Sequence, residues 1–196
     1  MAQSSSLSEL VRTTFPQWVI ATHAYGGNDT VVLKREGLIE AMRFLRDDSR
    51  SAFNVLMDLS CVDYLKFGRT PASRPSITTP SPLPYFMTPK PNAQVWERGV
   101  GPEYRFEVVY HLYSVQRNHR LRIKVPLTEA DPAIDSVTTV WSAANWLERE
   151  VWDMFGVRFN GHPNLKRILM YESFQGHALR KDYPAYKRQP LIGPLN

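Results

Sequence analysis

The residues with the widest chemical reach in this 196-residue chain are a single cysteine and five histidines. Cys61 on its own removes several classes of function, because a disulfide framework, a Cys-rich zinc site and an iron–sulfur cluster each need several thiolates. It lies in the strand-like run FNVLMDLSCVDYL, where a free thiol reads as a small buried hydrophobe rather than a nucleophile. His162 and His177 each follow a glycine, in GHPNLKR and GHALRK. Irregular chain separates them, and neither has a second ligand at helical or zinc-finger spacing. The near-repeat reads instead as two similar turns, each presenting an imidazole and then a basic side chain to an acceptor-rich surface.

Glu148, Arg149 and Glu150, with Asp153 beyond them, could supply paired acid and base groups. Adjacent helical residues point about 100° apart, so Glu148 and Glu150 do not converge on one reacting atom. The expectation is a solvated or interface face on which Arg149 pairs with Asp153. Phosphate-cradling glycine loops, a GxSxG elbow and a HExxH pair are all absent from the sequence. No catalytic, cofactor-binding or metal-ligating residue is therefore assigned, and no cofactor is expected on this chain.

The formal charge of +5 is local. Between Arg158 and Arg188 stand seven basic residues against two acidic ones, and the rest of the chain is balanced. Such an asymmetry points to an acidic partner surface for one C-terminal segment. A basic, aromatic tail could also bind single-stranded nucleic acid by stacking and phosphate contact, although its aromatics are not arrayed on a sheet face beside the charges. No uncharged run approaches the roughly 20 apolar residues of a spanning helix. The start MAQSSSLSELVRTTF lacks a basic region leading into an apolar run, so a cytosolic start in a reducing compartment is expected.

The elements that must position these residues follow from periodicity. Leu7, Leu10, Val11 and Phe15 predict a short amphipathic helix over 5–15, stopped by Pro16. QWVIATHAY and Thr30 to Leu33, flanking Gly26-Gly27-Asn28-Asp29, predict two strands and a tight turn. Leu38, Ile39, Met42 and Leu45 predict a helix over about 35–48. A strand follows in which Phe53, Val55, Met57 and Leu59 share a face opposite Asn54, Leu56 and Asp58. Tyr104, Phe106, Val108, Tyr110 and Leu112 alternate with Arg105, Glu107, Val109 and His111, the pattern of a long half-exposed strand. It pairs as a hairpin with Leu121, Ile123 and Val125, leaving Glu107 to meet a basic neighbour. Asp131-Pro132 then breaks the chain before a last helix, whose stripe Trp141, Ala144, Leu147, Val151, Met154 and Phe155 ends at Gly156.

Eight of the fifteen prolines lie between Pro71 and Pro102, a composition that neither completes strand ladders nor buries much apolar surface. An inserted surface loop over about 68–102 is expected, with a docking arm as the functional alternative. The fold class is α/β in an α+β two-layer form, with helices packed on a mixed sheet. The domain spans 1–160, and 161–196 forms an extended basic tail. Carrying Phe159, Tyr171, Phe174, Tyr183 and Tyr186 around its edge, that tail should lie against something.

The stretch NWLEREVWDMFGVRFNGHPNLKRILM, continued by GHALRKDYP, resembles the C subunit of the bacterial NADH-quinone oxidoreductases (respiratory complex I), and is similar also to the chloroplast counterpart and to subunits of membrane-bound hydrogenases. The likeness extends upstream through RFEVVYHLYSV, RLRIKVPL and DPAIDSVTTVWSAANW, covering residues 103–184 closely and the N-terminal half more loosely. The Pro-rich insertion is longer than the family's loop, and AYKRQPLIGPLN falls outside the match.

The resemblance implies a structural peripheral-arm subunit without cofactor, held on the cytoplasmic side of the cell membrane. It would pack on the subunits that carry the terminal iron–sulfur cluster and form the quinone pocket. On that implication Glu148, Arg149 and Glu150 belong to an interface between subunits, together with His162, Lys166 and Arg167. His177, Arg180, Lys181, Asp182 and Tyr183 complete it. Arg167, Arg180 and Lys181 are expected to meet carboxylates or carbonyls of a neighbouring subunit. Neither Arg180 nor Lys181 lies on an apolar stripe, so charge reversal there should impair assembly and spare the fold. Whether the donor is NADH, and whether the complex ends in quinone or in a hydrogenase, stays open at this level.

Overall fold

The computed structural model describes residues 6–65, 67 and 103–184. The insertion expected over 68–102 and the tail beyond Pro184 lie outside the described residues. Helix α1 spans Leu7–Thr14 and begins where the Ser6 side chain accepts the Glu9 N–H, satisfying one of the donors that a first helical turn leaves open. Strands β1 (Val19–Tyr25) and β2 (Asn28–Leu33) pair antiparallel. Their turn uses Gly26 and Gly27 at φ 57° and 78°, the double left-handed conformation that suits a two-residue hairpin. A 3-10 turn at Arg35–Gly37 leads into α2, Leu38–Asp47. Its Leu38, Ala41, Met42 and Leu45 are buried, as their spacing predicts.

Strands β3 (Val55–Asp63), β4 (Phe106–Ser114) and β5 (His119–Leu127) complete a five-stranded sheet in the order β1-β2-β5-β4-β3. Strand β2 runs parallel to β5 while the other pairs are antiparallel, so the sheet is mixed. Short strand β6 (Ala133–Asp135), helix α3 (Ala144–Phe155) and strand β7 (Arg158–Asn160) follow, β6 and β7 pairing parallel as a second small sheet. Val11 and Phe15, α2's Met42 and Leu45, Phe106, Val108, Tyr110 and Leu112 of β4, Leu121, Ile123 and Val125 of β5 and Val151 of α3 all join one core. Burying each such side chain contributes about 1.5–3 kcal/mol, and this shared core fixes the end of α3 over the β3–β4 end of the sheet.

Three expectations need correction. The register of β3 against β4 shifts between Leu56 and Asp58. That bulge sends Leu56 and Leu59 into the core and leaves Met57 51% exposed, whereas strict alternation places Met57 inward and Leu56 outward. Strand β4 is not half-exposed, since Glu107 and Val109 on its second face are buried along with Phe106 and Val108 on the first. Tyr104 does not share the core face of Phe106. It precedes the strand, and its hydroxyl donates to Glu107 Oε1 at 3.0 Å. The Tyr64 hydroxyl (2.9 Å) and Lys124 Nζ (2.7 Å) meet Oε2 of the same carboxylate, so Glu107 finds the basic neighbour its position calls for.

Candidate functional site

Helix α3 carries the acidic cluster, and the structure turns two of its members inward. Glu148 is fully buried, which corrects the solvated or interface face expected for it. Its Oε1 accepts the Val137 N–H and its Oε2 the Ser136 hydroxyl, each at 2.7 Å. Burial pushes its pKa up to about 7, against the pull of those two donors. The His162 ring lies with Nε2 4.0 Å from Glu148 Oε2. Because His162 Nδ1 accepts the Asn164 N–H at 3.0 Å, Nε2 is left to donate to the Asn145 carbonyl at 3.1 Å.

Asp153, one turn and a half further along α3, is also fully buried. Its Oδ2 accepts the N–H groups of Ile168, Leu169 and Met170 at 3.1, 2.9 and 2.9 Å, and its Oδ1 meets Arg167 Nη1 at 2.5 Å. Burial would raise its pKa, but the three backbone donors and the guanidinium outweigh it and hold the carboxyl below the usual range. The Arg149–Asp153 pair expected from helical spacing does not form. Arg149 instead donates to the carbonyls of Lys166 (3.0 Å) and Arg167 (3.2 Å) and lies 5.0 Å from the Trp146 ring centroid. Arg167 extends past Asp153 to the carbonyls of Phe174 and Gly176, at 3.0 and 3.1 Å. One buried carboxylate and one guanidinium thus organise the irregular chain over 166–176.

The end of α3 is capped by the same C-terminal segment. The terminal carbonyls of a helix lack partners within it, and its negative dipole end favours cations. Here His177 Nδ1 lies 3.0 Å from the Asp153 carbonyl, the Leu179 N–H donates to Met154 O at 3.0 Å, and Arg180 Nε donates to Phe155 O. Burial lowers the His177 pKa and the Asp153 carbonyl opposes that shift. Gly156 makes the arrangement possible twice over. Its φ of 76° is left-handed, and a Cβ there would sit 2.5 Å from both Arg180 Nη2 and His177 Nε2.

A second network fastens the segment to the sheet. Buried Arg105 donates to Asp63 at the end of β3 (3.3 and 3.1 Å), pairs with Asp182 at 2.8 Å and also meets Glu129. Asp63 further accepts the Lys181 N–H at 2.9 Å. Burial would raise the Asp63 pKa, but Arg105 and the Lys181 and Leu65 N–H groups hold it low, and Asp182 is held low chiefly by Arg105. Arg105 and Arg180 both stand over the Phe106 ring, at 4.9 and 5.2 Å. Sequence reasoning missed Asp63 and Arg105, which lie 42 positions apart and whose further partners Glu129 and Lys181 stand 24 and 118 positions away, so they leave no local signal.

The structure therefore gathers Arg167, His177, Arg180, Lys181 and Asp182 around α3 and the β3–β4 end. Among the described residues, the groups that Arg167, His177, Arg180 and Asp182 meet belong to this chain, whereas Lys181 engages only through its backbone N–H and its side chain is exposed. Tyr183 stacks on Phe174 with centroids 5.8 Å apart, while Glu150 and Lys166 are exposed. Chemically the site is saturated rather than poised. Cys61 is no better placed for nucleophilic work, because burial pushes its thiol up to about 12. No cluster of three metal-ligating side chains occurs among the described residues, and none of their helices is long and apolar enough to cross a membrane.

A family model described as respiratory-chain NADH dehydrogenase, 30 Kd subunit, matches residues 31–189, a span holding every side chain of both networks. The C subunit of NADH-quinone oxidoreductase from Citrifermentans bemidjiense is 38% identical over 198 aligned positions, covering all of both chains. The C/D subunit of NADH-quinone oxidoreductase from Methylococcus capsulatus is 40% identical over 159 positions, which are 81% of this chain and 22% of that one. Among solved structures, a trypsin-resistant fragment of Nqo5 superposes with a TM-score of 0.55 at 32% identity, over 80% of this chain and 95% of the fragment. The five-stranded mixed sheet, the capped α3 and the anchored C-terminal segment thus sit within a known likeness, and the chain belongs to the 30 Kd subunit family of the respiratory-chain NADH dehydrogenases.

Proposed function

We infer that this chain is a non-redox structural subunit of the peripheral arm of a proton-translocating NADH-quinone oxidoreductase, on the cytoplasmic side of the membrane. Electrons would pass from NADH through FMN and iron–sulfur centres on other subunits to quinone, while this chain holds neighbours in place. The observation that carries the reading is the saturation of the site. Glu148, Asp153 and Asp63 each commit their oxygens to donors of the chain itself. A general acid or base needs an open approach to a substrate proton, and these carboxylates serve as internal ties. Engagement of Arg105, Arg167 and Arg180 by internal acceptors likewise takes three guanidiniums out of contention for nucleic-acid phosphates.

The preferred partners are the quinone-pocket subunit and the terminal iron–sulfur subunit. For a D-type subunit there is specific support, since the Methylococcus relative is itself a C/D protein of which this chain matches 22%. The functional part of the reading is tested on the purified full chain by metal analysis, visible absorbance and NADH oxidation. The expected result is no stoichiometric iron, zinc or flavin and no NADH oxidation above background; a stoichiometric centre would overturn it.

A further inference from the structure

With Arg167 and Arg180 engaged internally, the C-terminal segment still presents large apolar side chains to a partner. Trp146, Leu169 and Leu179 are 63%, 58% and 50% exposed, large values for side chains whose burial is favourable. All three are attached to α3. Trp146 stacks on Arg149, Arg149 grips the carbonyls of Lys166 and Arg167, the Leu169 N–H is held by Asp153, and the Leu179 N–H is held by Met154 O. Residues 146, 149 and 153 fall within about 60° of one another around a helix of 100° per residue, so Trp146, Arg149 and the carboxylate that holds the Leu169 N–H lie along one side of α3, while Leu179 is tied to the C-terminal end of the helix through Met154 O. The remaining exposed large apolar side chains among the described residues lie elsewhere, on β1, β3 and the turns after β3 and β4.

We propose that this group of side chains, with Trp146 as anchor and Leu169 and Leu179 beside it, is the docking surface for the D-type subunit. Arg149 acts as a positioning residue that holds the indole. This rests on the reading of the chain as an oxidoreductase subunit and reassigns its contact from charge to apolar packing. Two features fix the occupant's chemistry. Lys166 and Lys181, in the segment that carries Leu169 and Leu179, are exposed and form no ion pair among the described residues, so the partner's matching face is apolar with carboxylates at its rim. The C/D relative carries both parts on one polypeptide, which keeps a D-type surface beside this fold. A rigid aromatic backed by a fixed guanidinium has the composition of an interface hot spot, whereas rim charges govern salt dependence more than affinity.

The test co-expresses the full chain with the D-type subunit of the same organism and measures their dissociation constant, together with thermal unfolding of each variant chain. Trp146→Ala is expected to weaken binding roughly thirtyfold or more with the unfolding temperature unchanged, Trp146→Phe to recover most of the loss, and Leu169→Ser to weaken it as well. Lys166→Glu with Lys181→Glu should alter the salt dependence and the constant by about threefold or less. Should Trp146→Ala unfold the chain, Leu179→Ser carries the same expectation. Wild-type affinity in Trp146→Ala and Leu169→Ser would overturn the proposal, as would a larger loss from the lysine reversals than from Trp146→Ala. A wild-type chain that enters the oxidoreductase without binding the D-type subunit sinks this inference alone; one that does neither sinks the subunit reading too.

Discussion

Glu148→Gln isolates the consequence of burying a carboxyl against Ser136 and Val137. In the folded chain this group titrates at about 7, against an ordinary value of 4.5. The folded state thus binds the proton more tightly, so the stabilisation is complete below about pH 4.5 and is lost as pH rises through 7. Two and a half units at about 1.4 kcal/mol each give a loss of about 3.5 kcal/mol across that window. Glutamine imitates the protonated form, its carbonyl accepting the Val137 N–H and its amide donating to Ser136 Oγ. The Ser136 hydroxyl then turns to Thr138 Oγ1, already 2.7 Å away. Urea unfolding of wild type and Glu148→Gln at pH 5, 6, 7 and 8 separates this group from the others, whose titrations cancel in the difference. The variant is expected to gain about 2–3 kcal/mol relative to wild type between pH 5 and 8. A difference that stays flat with pH would refute the argument that Glu148 is desolvated.

Gly156→Ala should lower stability by about 2 kcal/mol or more, from the left-handed backbone and from displacement of His177 and Arg180, read as a lower urea midpoint. Asp153→Asn leaves the Arg167 guanidinium without its counter-charge, and about 3 kcal/mol of destabilisation is expected, with faster proteolysis over 166–176. Arg180→Glu places a carboxylate at the negative end of α3 where a cation now caps Phe155 O, so it should lower the melting temperature of the isolated chain. Lys181→Glu should not, because only the Lys181 backbone N–H is used. That pair tests the expectation that either reversal spares the fold, and differential scanning calorimetry of both decides it.

The elements are legible because their periodicities are local. Two adjacent glycines mark the β1–β2 turn, and the Val151 and Met154 stripe marks α3. What escapes the sequence is everything that depends on a partner far along the chain. No pattern announces that Met57 sits in a bulge, since the shift is set by pairing with β4. Glu148 and Asp153 read as solvent-facing because carboxylates usually are, and only the donors of residues 136–137 and 167–170 make their burial tolerable. The basic excess is local, as its spacing implies, and the acceptors that Arg167 and Arg180 find within the chain, Asp153 and the α3 carbonyls, come together with them only in the folded state. The family likeness locates the segment without revealing that it closes back on its own domain.

The most direct test of the central claim is recovery of the tagged full-length chain from detergent-solubilised membranes of its own organism, with assay of NADH-dependent quinone reduction in the eluate. The chain should bring that activity with it in a single large complex, and Asp153→Asn, which loosens the C-terminal segment, should bring less in proportion to its lost stability. Recovery of the chain alone, or with nucleic acid, or in a complex that reduces no quinone with NADH, would contradict the account.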